Sequence, residues 1–351
     1  MALRLLCRTG KYTNFIHGTT HYSNTRLASI SNKKSIYKKE ETQKFGFFVV
    51  KKYLQYVTKY EQILAKRFPK AMDVYKVIVM GVKDFYTDVK QFVKIIKIMN
   101  APGNSISTLT RREIELYNKM PRDMLKIAPV LIISALPFAN YVIFPLALMF
   151  PKHLLTHHFW NKDQKQEFRM IYLQRQLRLN YVIYQDLMNQ LETRKKFYHV
   201  AHIFEEMEKG RPIDVRDLIL CKQEFMEKPF HLIYLRHSHI KHLVKFHRLH
   251  RGFFRRVRLG DYALLLKAMD RAILMEGGVH NLPKEALKDA CVLRGLNPTN
   301  LQTEYMIDYM KDWIRLSEAV DADSLSLLLH APIFLGYSQA SNIELLNTKL
   351  D

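Results

Sequence analysis

The densest chemistry in this sequence lies between Lys228 and Gly260, where no Asp or Glu occurs. Lys241, Lys245, Arg248, Arg251, Arg255, Arg256 and Arg258 stand there among six histidines and Phe246, Phe253 and Phe254. Cations spaced along one surface can follow a phosphate backbone, and aromatic rings between them can stack on bases. The plainer alternative is a solvated basic face whose phenylalanines belong to the core. The length of the stretch and its lack of any acid favour a binding face for RNA or for acidic protein.

Other candidate groups are weaker. His153 and His157 are four apart, a spacing that can place two imidazoles on one helical face for a metal, but no third ligand is evident nearby. Interfacial histidines beside an aromatic anchor, Trp160, are the ordinary reading. Asp321 and Asp323 are close enough to pair, yet acids at the start of a helix serve as caps and favour its dipole. No P-loop, no G-x-G-x-x-G after a strand, no G-x-S-x-G and no H-E-x-x-H is present, so the expectation is a protein without catalytic residues, cofactor or metal. Cys7, Cys221 and Cys291 are too scattered for a disulfide framework or a zinc ribbon.

The elements that would carry these groups read as helices throughout. Isoleucine 127 to phenylalanine 150 forms a stretch, IAPVLIISALPFANYVIFPLALMF, without a single charged residue or histidine. As one helix it would reach ~36 Å, enough for a hydrocarbon core of ~30 Å. Pro129, Pro137 and Pro145 recur within it, Pro151 follows it, and Asn140 is one of its few strongly polar side chains. Prolines in a span require neighbours that satisfy the freed carbonyls, so a kinked, packed transmembrane helix is expected.

Charge is unevenly placed around that stretch. The chain carries 55 Lys and Arg against 33 Asp and Glu, a net of +22, which suits anionic partners such as nucleic acid or acidic lipid. Residues 1–126 hold most of the excess. Residues 1–44 are nearly free of acids and rich in Ser, Thr, Lys and Arg, the composition of a mitochondrial transit peptide or disordered leader. Residues 45–126 follow as amphipathic helices. In the second of these, after Pro69, Ile78, Phe85, Phe92 and Ile96 line one side and Lys76, Lys83, Lys90, Lys94 and Lys97 another.

From 151 to 351 the periodicity is helical and no strand alternation is sustained. Helices are expected over Lys162–Leu191, Thr193–Lys209 and Asp214–Glu227, then one ended by Gly295, one carrying Tyr309, Met310 and Trp313, and an apolar closing segment, SLSLLLHAPIFLGYS. That last segment is short and interrupted by Pro332, which argues against a second span.

Several of these segments in this order resemble one family. GVKDFYTDVKQFVK, LTRREIELYNKM, LPFANYVIFPLALMFPKHL, EALKDACVLRGL, WIRLS and SLSLLLHAPIFL are similar to segments of the LETM family, leucine-zipper and EF-hand-containing transmembrane proteins of the mitochondrial inner membrane, and most of all to its short animal members. The resemblance runs from about residue 81 to 336. It implies an all-α protein in which a single inner-membrane span is followed by a matrix-facing, ribosome-binding-like helical domain; the outer membrane is the alternative location. It further implies a scaffold that contacts the mitochondrial ribosome, through rRNA or ribosomal proteins, and supports translation, respiratory-complex assembly and inner-membrane organisation. Inner-membrane lipids and a homo-oligomer or membrane-protein partner come with that picture. The alternative it offers is a component or regulator of potassium/proton exchange. No EF-hand loop is present, and Asn140 stands where exchanging relatives are expected to carry an acid, which counts against direct exchange by this chain.

Overall fold

The computed structural model describes residues 69–134, 140–191 and 197–349. The leader, the first amphipathic helix and Pro137 lie outside those residues. Everything described is helix, turn or connection, with no strand.

The central element is the segment expected to close the fold. Leu325–Gly336 (α14, the fourteenth α-helix among the described residues) buries every one of its residues, Pro332 included. Proline removes one backbone donor, yet the helix continues through it because packing on all sides holds the turn. Around it stand α9 (Lys222–Phe225), α11 (Arg255–Met275) and α13 (Thr303–Ala319), each in contact with α14. Leu327, Leu328, Leu329, Ile333 and Phe334 from α14 join Phe225, Leu266 and Trp313 in one continuous core.

Most histidine nitrogens inside this core find partners, while Ser326 Oγ and His247 Nδ1 are buried without one among the described residues. His330 donates from Nδ1 to the Ser326 carbonyl at 2.6 Å, so its Nε2 carries a lone pair and accepts from His239 Nε2 at 2.7 Å. His239 Nδ1 then accepts from the Gln190 amide at 2.8 Å. His247 Nε2 donates to the Leu329 carbonyl at 2.9 Å. The His239 and His330 rings are satisfied as neutral forms, and burial, the first cause in each case, lowers His239 to about 2 and both His247 and His330 to about 4.

A second anchor joins α11, α12 (Lys284–Leu293) and α13. Arg294, just past the end of α12, is almost fully buried and bonds the Asp270 carboxylate, while the Trp313 indole donates to the other Asp270 oxygen at 2.9 Å. The Arg294 carbonyl accepts from Tyr309 OH at 2.7 Å. Gly295 follows with φ +86; a Cβ there would meet the Pro332 carbonyl oxygen at 2.9 Å, so the turn approaches α14 as only glycine permits.

The remaining helices wrap this centre. α1 (Pro69–Met99) ends at the APGNSIST break, and a Thr110–Glu113 capping box opens α2 (Arg111–Ser134), Thr110 N donating to Glu113 at 3.0 Å and Glu113 N to Thr110 at 3.3 Å. α2 packs along α11. The helix expected over Lys162–Leu191 is two, α5 (Lys162–Leu177) and α6 (Asn180–Met188), and the one over Asp214–Glu227 is likewise divided into α8 (Val215–Leu220) and α9. α7 (Tyr198–Glu208), α10 (His237–Phe246) and α15 (Ala340–Asn347) complete the shell.

The expected span is corrected. Residues 127–150 are not one straight helix: the apolar run is shared between the end of α2 and α3 (Asn140–Met149), followed by the short α4 (Pro151–Leu154). Ile143 packs in one buried cluster with Ile127 and Val130. On a continuous helix, residues so far apart in sequence would lie ~20 Å from one another. The chain therefore doubles back, and no helix among the described residues is long and apolar enough to cross a membrane. Pro129 sits exposed within α2, Pro145 and Asn140 lie in α3, and Pro151 opens α4.

The buried histidines set a pH dependence. Their folded pKa values lie below that of a free imidazole, so between about 6.5 and about 4 the unfolded chain binds the extra protons, and stability falls as pH falls. Thermal melts of the detergent-purified chain should be level above about pH 7 and drop on acidification, each histidine contributing roughly 1.4 kcal/mol per pH unit over its own window. His330→Asn should flatten that slope.

Candidate nucleic-acid interface

The acid-free stretch folds into α10, a connection over residues 247–254, and the first turns of α11. In α10 the apolar Ile240, Leu243 and Val244 turn inward, which leaves Lys241 and Lys245, one turn apart, exposed on the outer side. Arg251 is exposed in the connection.

The other four arginines are engaged by the protein itself. Arg256 donates to the Leu235 carbonyl at 2.7 Å. Arg258 donates to the Gly252 carbonyl at 2.6 Å and to His250 Nδ1 at 3.2 Å. Arg255 reaches back to the Arg251 carbonyl at 3.0 Å and to His237 Nε2 at 3.0 Å. Arg248 lies over the Tyr172 ring, 4.1 Å from its centroid, and its carbonyl accepts from Arg122 of α2 at 3.1 Å. Burial and the neighbouring Arg255 both lower the Arg258 pKa, with burial the larger cause. These side chains shape the loop, while Lys241, Lys245 and Arg251 present charge outward.

The phenylalanines divide the same way. Phe246 is core, whereas Phe253 is 90% exposed and Phe254 is 65% exposed. Arg248 and Phe254, both non-glycine, adopt φ of 55° and 56° and bracket the connection in left-handed backbone. Such residues are strained and persist only where the surroundings hold them, a condition that clusters at binding sites. Tyr234, half exposed and covered on one side by the Lys228 ammonium at 4.6 Å, is a further surface ring that the residue pattern did not single out. Its neighbour Ile233 is exposed as well, and a pair of exposed apolar residues beside a basic run was the available signal.

His153 and His157 do not share a helical face. α4 ends at Leu154, Leu155 is extended, and His157 begins a separate 3-10 turn, His157–Phe159. Asp321 pairs with Lys222 at 2.5 Å and its N–H donates to the Ser324 hydroxyl; the helix that follows has Ser324 as its N-cap and no acid in its first turn, so neither Asp321 nor Asp323 is the cap expected there.

The described residues form an all-helical module with a cationic loop tipped by exposed aromatic rings. Residues 109–334 match the family model described as LETM1-like, RBD, and the chain belongs to this LETM1-like family. It is 32% identical over 292 residues to LETM1 domain-containing protein 1 of Xenopus tropicalis, covering 82% of this chain and 83% of that protein. Proteins of the same name from Bos taurus and Homo sapiens are 28% and 26% identical over 311 residues, covering 87% of this chain and 86% of each. The motifs that carry the resemblance meet in space: Arg294 and Gly295 of one contact Trp313 and Pro332 of the other two.

The division of the arginines has a measurable consequence. Lys241→Glu and Lys245→Glu should leave the unfolding free energy from chemical denaturation within about 0.5 kcal/mol of the parent. Arg256→Ala strips the Leu235 carbonyl of its donor and should cost about 1–3 kcal/mol.

Proposed function

We propose that this chain is a membrane-attached docking protein of the mitochondrial inner membrane, with its helical domain in the matrix, and that the α10–α11 face binds the mitochondrial ribosome through ribosomal RNA. The observation that carries this reading is the strained connection that holds Phe253 and Phe254 in solvent beside Lys241, Lys245 and Arg251. Exposed rings amid exposed cations are what single-stranded or loop RNA requires: charge for the backbone, faces for stacked bases. The name of the matching family model is consistent with it.

Co-sedimentation of the full chain with mitochondrial ribosomes tests the reading. Phe253→Ala should weaken binding by ~1–3 kcal/mol regardless of salt. Lys241→Glu, Lys245→Glu and Arg251→Glu should each weaken it and reduce its salt slope by about one. Unchanged co-sedimentation at low salt for the triple reversal would overturn it.

Attachment to the bilayer is assigned to the hairpin of α2 and α3. Ile132, Val142, Leu146, Leu148 and Met149 are exposed apolar residues on its outside. α3 rises only ~15 Å, about half the hydrocarbon thickness, so the hairpin enters one leaflet and returns. Tags placed in the exposed turn at Gly103 and after Asp351 should then both resist protease added to mitoplasts. Cleavage of one tag alone would establish a crossing instead.

A further inference from the structure

α1 meets the turn after the apolar hairpin along a single face. Gly81, Phe85 and Asp88 follow one another at helical spacing. A Cβ on Gly81 would lie 2.6 Å from the Phe159 ring and 2.9 Å from the His158 carbonyl oxygen, so the two backbones come together because residue 81 has no side chain. One turn on, Phe85 packs edge-on against the His158 ring, with centroids 5.4 Å apart. A further turn on, the Asp88 carboxylate lies 3.0 Å from His158 Nε2.

His157 sits beside it in an unusual way. Consecutive side chains of a 3-10 turn diverge by about 120°. Here the His157 and His158 ring centroids are only 3.9 Å apart. One ligand-competent atom from each of Asp88, His157 and His158 falls within 4.8 Å of the others. The outer ring nitrogens are held in place. His157 Nδ1 is 3.2 Å from the Asp123 carboxylate of α2, and His158 Nδ1 is 3.0 Å from the hydroxyl of fully buried Thr156. Lys126, one turn beyond Asp123, is drawn away over the Trp160 ring, 4.6 Å from its centroid.

We propose that Asp88, His157 and His158 bind a divalent first-row transition metal, best matched by Zn2+, with Asp123 and Thr156 orienting the two imidazoles. Two nitrogen ligands and one carboxylate suit zinc and exclude the all-oxygen preference of calcium and magnesium. Ligating histidines characteristically engage a carboxylate or other polar group through the second ring nitrogen, which fixes the tautomer. Both histidines here do so. In a three-ligand zinc site the fourth position stays open to water or to another ligand. His157 is partly exposed, so an ion can enter from that side.

This centre also has a mechanical role. It ties α1, α2 and the 156–159 turn at one point, at the root of the apolar hairpin, where Phe85, Leu154 and Phe159 pack against Ile127, Val130 and Ile143. Occupancy by a metal therefore joins the basic α1 to the hairpin.

The test uses the full chain, purified in detergent and stripped with EDTA. Calorimetric titration with ZnCl2 should show one tight equivalent in the parent. His157→Ala and Asp88→Asn should abolish it, and Asp123→Asn should weaken it by about 10–100-fold. His157 lies at the partly exposed edge of the cluster, so its loss tests binding with the least disturbance to packing; circular dichroism of each stripped variant checks that the helices are retained. A second measurement needs no variant. Co2+ added to the stripped parent should give the intense visible d–d bands of a four- or five-coordinate site. A parent that takes up no more Zn2+ than His157→Ala, or that gives Co2+ only the weak spectrum of the aqueous ion, would overturn the proposal and reduce the cluster to two histidine–carboxylate contacts.

Discussion

A helix with no side facing water governs this fold. α14 buries Leu325 to Gly336 entirely, and an element apolar all round is stable only with neighbours on every side. The helices α9, α11 and α13 supply those neighbours. Its polar residues then demand partners, because a buried donor or acceptor left without one costs about 1–3 kcal/mol. His330 and the Leu329 carbonyl obtain them from His239 of α10 and from His247 just past its end. The helix that presents Lys241 and Lys245 to solvent is thus held by its other face to the centre of the protein. A surface built on such an element is rigid, as a binding face needs to be.

The Asp270–Arg294–Trp313 knot acts differently. Burying an ion pair gains little stability over apolar residues of the same shape, but losing one partner strands a charge. Its effect is to allow only the arrangement of α11, α12 and α13 in which carboxylate, guanidinium and indole meet. Gly295 and Gly336 extend the same constraint, since a side chain at either would strike backbone across the contact, at the Pro332 and Gly295 carbonyls respectively. The segments that carry Arg294, Trp313 and Pro332 are therefore chiefly architectural. The outward-facing cations and rings lie elsewhere, on α10 and the connection after it.

α2 joins three otherwise separate features. Arg122 bonds the carbonyl of Arg248 in the strained connection, Asp123 holds His157, and the end of the helix enters the apolar hairpin. The contact of α2 with α11 fixes the bearing of the helix that carries all three.

Residue types alone determined that the protein is helical, because apolar periodicity is a local property and needs no knowledge of neighbours. They also located the basic stretch and the helix end at Gly295, both of which depend on a few adjacent residues. Composition likewise marked 127–150 as the most apolar run, but a count of apolar residues cannot distinguish a helix that continues from one that turns back. Ile143 packing with Ile127 and Val130 decided that. Tertiary structure alone separated Lys241, Lys245 and Arg251 from four arginines spent on loop carbonyls and rings, since seven cations in a row look equivalent until their acceptors are placed. It also moved SLSLLLHAPIFL from the edge to the centre, and brought Asp88 to His157 and His158 across 70 residues of chain. Such meetings depend on the path of the backbone between distant positions, and local sequence carries no record of them.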